Sequence, residues 1–330
     1  MKKVLFLLMI TVLLFGYAGN AGAVLGIPDH VPAATLIVPY FEVGINSATH
    51  PHDTLPVVTN AFFGTVTVHY EIWDAFGNLV DAFGNFTLGP IQTAAFSMRS
   101  LIAPLSGSQK AQLTDGAFYR GFVTYDVVTA PTDFWPTHTS YPFGFDNVLE
   151  GWIYYVRLLE GSSNGLSMLP VEATPGGTPL ELTDFYQFGD GREEFDATAR
   201  ASVESLSHGG TVLLNPQIAR VRSRVYLTPA NNASSKIIIF AFPAQGFFAG
   251  GPGVVPYKRY DESGNLLQDT TVNLDRVVNV IQVSGTSNGF VSIWNIPDSF
   301  ETYAFSINTA NPGFDPSLTW DAIFESFILP

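Results

Sequence analysis

The 330-residue chain contains no cysteine. That excludes disulfides, thiolate metal sites, haem attached through Cys-x-x-Cys-His and a cysteine nucleophile, so the core must hold by packing alone. Charge is scarce as well: 13% of residues are charged against 46% hydrophobic and 14% aromatic, the opposite of a disordered composition. Cations are the scarcer sign, with 15 Lys and Arg against 29 Asp and Glu and a net charge of −14. A chain so poor in cations has little with which to displace counterions from nucleic acid or anionic lipid, so neither is an expected partner. Beyond the N-terminal segment every apolar run meets a Pro, Gly or charge well before the roughly 20 residues a membrane-spanning helix needs.

The N-terminal segment itself carries an export pattern. Lys2 and Lys3 precede an apolar run from Val4 to Tyr17, and Ala21-Gly22-Ala23 has the small-x-small form that a signal peptidase cleaves. This predicts a signal peptide over 1–23, a mature chain from Val24 that is two charges more negative, and a periplasmic, cell-surface or extracellular location. Without a cysteine at the cleavage site no lipid anchor is expected, and no integral membrane segment is expected after cleavage.

One short stretch is used twice. Trp73-Asp74-Ala75-Phe76-Gly77-Asn78-Leu79 and Tyr260-Asp261-Glu262-Ser263-Gly264-Asn265-Leu266 both place an Asp where its carboxylate can accept from backbone N–H groups ahead of it. A Gly three residues later supplies positive φ, and apolar runs flank each copy, so both read as β-hairpins. Leu88 and Leu274 follow in register after one gap, which makes two related β modules the simplest organisation.

The remaining pattern is strand-rich. Val31 to Val43 is continuously apolar and fits a strand buried on both faces; Gly44 to Thr54 reads as a loop; Val66, Val68, Tyr70 and Ile72 alternate onto one face. Further strands are predicted at 83–88, 93–98, 121–128 and 151–158, with a polar, Ser-rich loop running to Asp115. In the second half, strands are predicted at 222–228, 236–242, 254–261, 265–274, 276–283, 290–296 and 302–308. Between the halves lies one helix at about 191–207, with Asp190 and Glu193 as a capping box and Gly209-Gly210 as its stop. The expected division is β-sandwich module 1 over 24–172, a linker with that helix over 173–210 and β-sandwich module 2 over 211–330. The segment 315–329 reads equally as helix or strand.

Few groupings suggest chemistry. Gly161-Ser162-Ser163-Asn164-Gly165 and Gly285-Thr286-Ser287-Asn288-Gly289 match the Gly-x-Ser-x-Gly elbow of hydrolases, but strand-like runs follow where an elbow needs a helix, so both read as hairpin turns. His50, His52 and Asp53 form a candidate metal set, because alternate residues of an extended segment point the same way. Asp190, Glu193, Glu194 and Asp196 lack the spacing of a calcium loop and suit a helix N-terminus. No cofactor-binding motif occurs, and no cofactor is expected. The long loop 130–148 carries Phe134, Trp135, Tyr141 and Phe143 beside several prolines, a candidate ligand-binding surface of rigid aromatic rings.

The repeated Asp-x-x-Gly-Asn-Leu turn, with the strands Thr93 to Met98 and Arg276 to Val283 that follow its two copies, resembles a broad group of exported bacterial tandem β-sandwich proteins with immunoglobulin- or fibronectin-like modules. That resemblance implies a mainly β fold and carries no activity and no functional residue. The expected function is non-enzymatic, by binding or assembly with another protein, a glycan or further copies of the chain. The alternative is a secreted carbohydrate-recognising protein or hydrolase using loop 130–148. An outer-membrane barrel is disfavoured because Leu36 to Val38 and Ile237 to Phe240 are apolar on both faces, where a barrel strand needs a polar lumen side.

The export pattern has a direct check. Intact mass of the exported protein should correspond to a chain beginning at Val24; product that retains residues 1–23 would contradict it.

Overall fold

A computed structural model of the chain describes residues 32–33, 35–128, 148–157, 162–171, 219–225, 227, 234–243, 251–297 and 300–309. The expected signal peptide, loop 130–147, the linker with its helix at 191–207 and the segment 315–329 lie outside the described residues.

Among the described residues the chain is mainly β, with every strand pairing antiparallel. One sheet runs in the order β10 (Leu169–Val171), β1 (Thr35–Gly44), β7 (Phe118–Val128), β3 (Val66–Asp74), β4 (Leu79–Leu88), and the two-residue β6 (Thr114–Asp115) pairs with the start of β7. A second has β5 (Thr93–Ala95), β2 (His52–Asn60), β8 (Leu149–Arg157) and β9 (Ser162–Ser167). A third has β11 (Ala219–Val225), β16 (Gly289–Ile296), β13 (Gly253–Asp261) and β14 (Leu266–Leu274), and a fourth has β15 (Val278–Val283), β12 (Ser234–Pro243) and β17 (Phe300–Thr309).

The strand orders repeat. β1-β7-β3-β4 corresponds to β11-β16-β13-β14, and β5-β2-β8 corresponds to β15-β12-β17. In each half the first, third, fourth and sixth principal strands share one sheet and the second, fifth and seventh share the other. The immunoglobulin arrangement instead groups the first, second, fourth and fifth. The expected sandwich character therefore stands, with a strand order of its own.

The two repeated turns agree bond for bond. Asp74 Oδ1 accepts from the backbone N–H of Phe76 (2.8 Å) and Asn78 (2.9 Å), and Oδ2 from Asn78 Nδ2 (2.9 Å). Asp261 Oδ1 accepts likewise from Ser263 (2.9 Å) and Asn265 (2.8 Å), and Oδ2 from Asn265 Nδ2 (2.8 Å). Gly77 and Gly264 follow with φ of 88° and 84°, the left-handed conformation that side chains resist. The Asn265 side chain, then the backbone N–H groups, hold the Asp261 carboxyl below its ordinary pKa.

Two helices replace the expected Ser-rich loop: α1 (Met98–Ile102) and α2 (Gly107–Leu113). Caps rather than apolar periodicity start them. Ser97 accepts from Ser100 N, and Ser106 with Gln109 completes a capping box. Helices this short have too few turns to show a 3.6-residue pattern, although Ser106-x-x-Gln109 was readable as a start signal.

The two halves share a core. The larger apolar cluster joins Phe41, Trp73, Phe122 and Tyr155 of the first half to Ile238, Phe240, Val278 and Phe305 of the second. Strand β12 is the reason: Ile238 and Phe240 face that cluster, while Ile237, Ile239 and Ala241 face the core beneath β11-β16-β13-β14. The Phe122 and Phe240 rings meet edge-on at 5.3 Å, Tyr155 stacks on Phe305 at 5.9 Å, and Val278 N donates to Ala75 O across the junction. Among the described residues no helix is long and apolar enough to cross a membrane.

Replacing Gly77 or Gly264 with Val puts a β-branched residue at positive φ, which costs on the order of 1–3 kcal/mol. Because the core is shared, each variant should lower the midpoint of one common unfolding transition in calorimetry. Two transitions that respond separately would show the halves to be energetically independent.

Candidate functional site: a cationic cleft and an open strand edge

The junction between the halves is closed by an ionic cluster around Glu42, a carboxylate with 5% of its surface exposed. Pro39 has no N–H to give the ladder, and the β1–β7 register shifts between Val38 and Phe41. Within that irregularity sits Tyr40, whose Oη donates to Glu42 Oε2 at 2.6 Å. Arg120 on β7 reaches the same oxygen with Nε (3.1 Å) and Nη2 (3.0 Å), and its Nη1 pairs with Asp115 at 2.8 Å. From the second half, Lys236 at the start of β12 places Nζ 2.7 Å from both carboxylate oxygens, and His52 Nδ1 lies 3.1 Å from Oε1.

Burial alone would raise the Glu42 carboxyl; the Lys236 ammonium, the His52 hydrogen bond and Arg120 outweigh it and hold the group well below its usual range. Burial acts in the opposite sense on Lys236, which is pushed down to about 8; Glu42 resists that shift, and Arg157 and Arg120 add to it. Beside this cluster opens a cleft of about 180 Å³, whose polar lining includes Glu42, Arg120, Arg157, Lys236, His52 and Gln282. Phe118 stacks on His52 with ring centres 5.0 Å apart and carries Arg120 at 5.0 Å above its face.

Of the candidate metal set, the structure brings His50 and His52 together with ring centres 6.4 Å apart, Phe118 lying against both. Asp53 does not join them. It is the next residue of strand β2 after His52 and points to the opposite side, where it accepts from Ser97 Oγ and from the backbone N–H of Arg99 and so ties α1 to the sheet. His50 Nδ1 is engaged by Thr49 at 3.0 Å. Strand β2 begins at His52, inside the stretch expected to be loop. Among the described residues no group of three or more His, Cys, Asp or Glu side chains converges as a metal site. The candidate ligand surface of Phe134, Trp135, Tyr141 and Phe143 lies outside the described residues.

The two Ser-containing motifs differ from each other. Ser162 to Gly165 is part of β9, paired with Arg157 to Tyr154 of β8, so the expected turn at that place is strand. Gly285 to Gly289 does form the turn between β15 and β16. There Arg259 donates to Ser287 O and Oγ, Asn288 Oδ1 accepts from Leu227 N, and β16 follows directly. His69, read as a strand-face residue, is buried beside Glu71 (3.6 Å) and Asn85 (2.6 Å).

The second feature is β14. Among the described residues it lies at the edge of its sheet, paired with β13 alone, and Leu266 to Thr271 are exposed without interruption. Leu266, Leu267 and Val254 add apolar surface beside it, with Val254 68% exposed.

No family model matches the chain, and no curated protein matches it. Among solved structures, a lectin from Pleurotus ostreatus in complex with GalNAc is 8% identical with a TM-score of 0.17, covering 88% of this chain and 80% of that one. The PBSX exported protein XepA is 10% identical with a TM-score of 0.15, covering 89% and 95%. The coconut allergen cocosin is 10% identical with a TM-score of 0.18, covering 84% and 75%. Likeness this slight assigns neither fold family nor activity.

Glu42→Gln removes the carboxylate that pairs with both Lys236 and Arg120, and breaking a buried pair from one side should cost about 3–5 kcal/mol in denaturant unfolding. Adding Lys236→Met should recover part of that loss, since it removes the stranded charge; strictly additive losses would contradict the pairing. In acid, a carboxyl depressed on folding contributes stability that is whole above its unfolded value of about 4.5 and is lost as pH falls through the folded value. Glu42→Gln should therefore flatten the acid limb of the stability profile.

Proposed function

We propose that the protein is an exported, non-enzymatic β-sandwich protein that acts by assembly, adding strands at the open edge of β14. The observation that carries this reading is the exposure of that edge among the described residues: nine residues long, exposed over Leu266 to Thr271, and without the lysine or proline with which natural edge strands are usually blunted. An exposed ladder of N–H and C=O groups is a template for β-augmentation, in which the main chain supplies affinity and alternate side chains supply selectivity.

A second copy of this chain is the partner best suited to it. Copies carrying the full chain's net charge of −14, two units more negative once residues 1–23 are removed, repel one another over most of their surface. Within β14 the only charged residue is Asp269, and Lys258 lies 3.3 Å from it, so this edge is nearly neutral. Antiparallel pairing about Thr270 sets Asp269 against Thr271 and Gln268 against Val272 of the other copy, with no like charges opposed. The exposed Leu266 and Leu267 would lose water in the same contact.

The test is self-association measured by sedimentation velocity over a concentration series. Thr270→Lys combined with Thr271→Lys puts one cation on each face of the edge and should weaken association at least about ten-fold, equivalent to about 1.4 kcal/mol. The melt should hardly move, because both positions are exposed. Native protein that stays monomeric to about 1 mM, where association would be worth only about 4 kcal/mol, would overturn the reading, as would a variant that associates equally well.

A further inference from the structure

Lys236 and Arg259 are the two Lys or Arg residues that are buried among the described residues, each with 6% of its surface exposed. Lys236 has the Glu42 carboxylate against it. Arg259, on β13, has no such partner: among the described residues its guanidinium bonds only to Ser287, Nη2 donating to the backbone O at 2.5 Å and to Oγ at 3.1 Å. Its Nε is shut off from water and meets no acceptor among those residues. The acids close to it in the sheet are committed elsewhere. Asp261 is held by the N–H groups and the Asn265 side chain of its own turn, Glu262 is exposed at the tip of that turn, and Asp269 pairs with Lys258 on the opposite face of β13. Neutral oxygens accept hydrogen bonds but do not offset a charge taken out of water, so the buried guanidinium is one half of an ion pair.

The local fold is shaped to that group. Arg259 lies against Gly285-Thr286-Ser287-Asn288-Gly289, the turn whose spacing matched a hydrolase elbow, and there the Ser287 hydroxyl meets a cation. Gly285 has φ of 139°, which side chains rarely adopt, and a Cβ at that position would run into the Arg259 guanidinium. Asn288 fixes the turn from the other side by accepting from Leu227 N. The cover over the guanidinium is thin: Gly285 and Thr286 of the turn are exposed, and so is Gln268, which stands opposite Arg259 on β14.

We propose that Arg259 and Ser287 form a binding site for a small oxyanion, a carboxylate or phosphate group taken from solution. The guanidinium presents Nε in a planar fork suited to such oxygens, and the Ser287 hydroxyl has a proton to donate beside it. The bound ion supplies the negative charge that Arg259 lacks, ties β13 to the turn between β15 and β16, and stabilises the second half of the protein by mass action.

The full-length exported protein is titrated with inorganic phosphate and separately with acetate, at ionic strength fixed with chloride, while backbone amide signals are followed by NMR. The Gly285 and Ser287 amides should shift saturably and the Gly77 amide, in the first half, should not move; whichever probe saturates at the lower concentration names the ligand class. Arg259→Gln should weaken that binding at least about ten-fold, whereas Lys110→Gln, which removes a cation from α2, leaves it unchanged. The saturating probe should also raise the thermal midpoint of the native protein and leave that of Arg259→Gln where it is. Shifts that never saturate, or that chloride alone reproduces, would overturn the site, and so would an Arg259→Gln protein that binds as tightly as the native one. Should Arg259→Gln fail to fold, the native titration alone decides, since it requires saturation confined to the turn from Gly285 to Gly289.

Discussion

Strand β12 has to be apolar on both faces. Its run Lys236-Ile237-Ile238-Ile239-Phe240-Ala241-Phe242 sends alternate side chains into two different cores, so the sheet β15-β12-β17 is an interior layer. Everything at the junction follows from that placement. Phe240 reaches Phe122, Phe305 on the neighbouring β17 reaches Tyr155, and Lys236 is carried below the surface at the strand's start. An ammonium buried there needs a carboxylate and further hydrogen bonds, because desolvation of an unpaired charge costs several kcal/mol. Glu42, Tyr40 and Arg120 supply that environment from the other half of the chain.

The internal repeat makes the contrast plain. Strand β2 occupies in the first half the position that β12 occupies in the second, yet it buries Thr54, Pro56, Val58 and Asn60 on one face and leaves the other half-exposed. Its apolar run is only Leu55-Pro56-Val57-Val58, with polar residues on either side, where β12 runs apolar from Ile237 to Pro243. The same topology thus yields one outer sheet and one inner sheet, and the difference lies in the side chains of a single strand. In the outer sheet, β14 is held among the described residues by β13 on one side, packs Leu274 and part of Val272 inward at its end, and exposes Leu266 to Thr271.

The strands and the two Asp-x-x-Gly-Asn turns were readable from the sequence because they are set by local causes. Alternation of side chains across a strand, a carboxylate that reaches N–H groups two and four residues ahead, and a glycine with positive φ all act within a few residues. The continuous apolar runs at Leu36 and Ile237 likewise announced burial on both faces. Only the tertiary structure could join Glu42 to Lys236, 194 residues apart, or set Arg120 and Arg157 around the same opening, since neither strand carries a local pattern that marks its partner. His50, His52 and Asp53 show the limit from the other side: the spacing looked like a ligand set, but the pleat turned Asp53 away to hold α1 and left His52 to Glu42. Local geometry fixed what each segment became, and long-range packing decided which charges met.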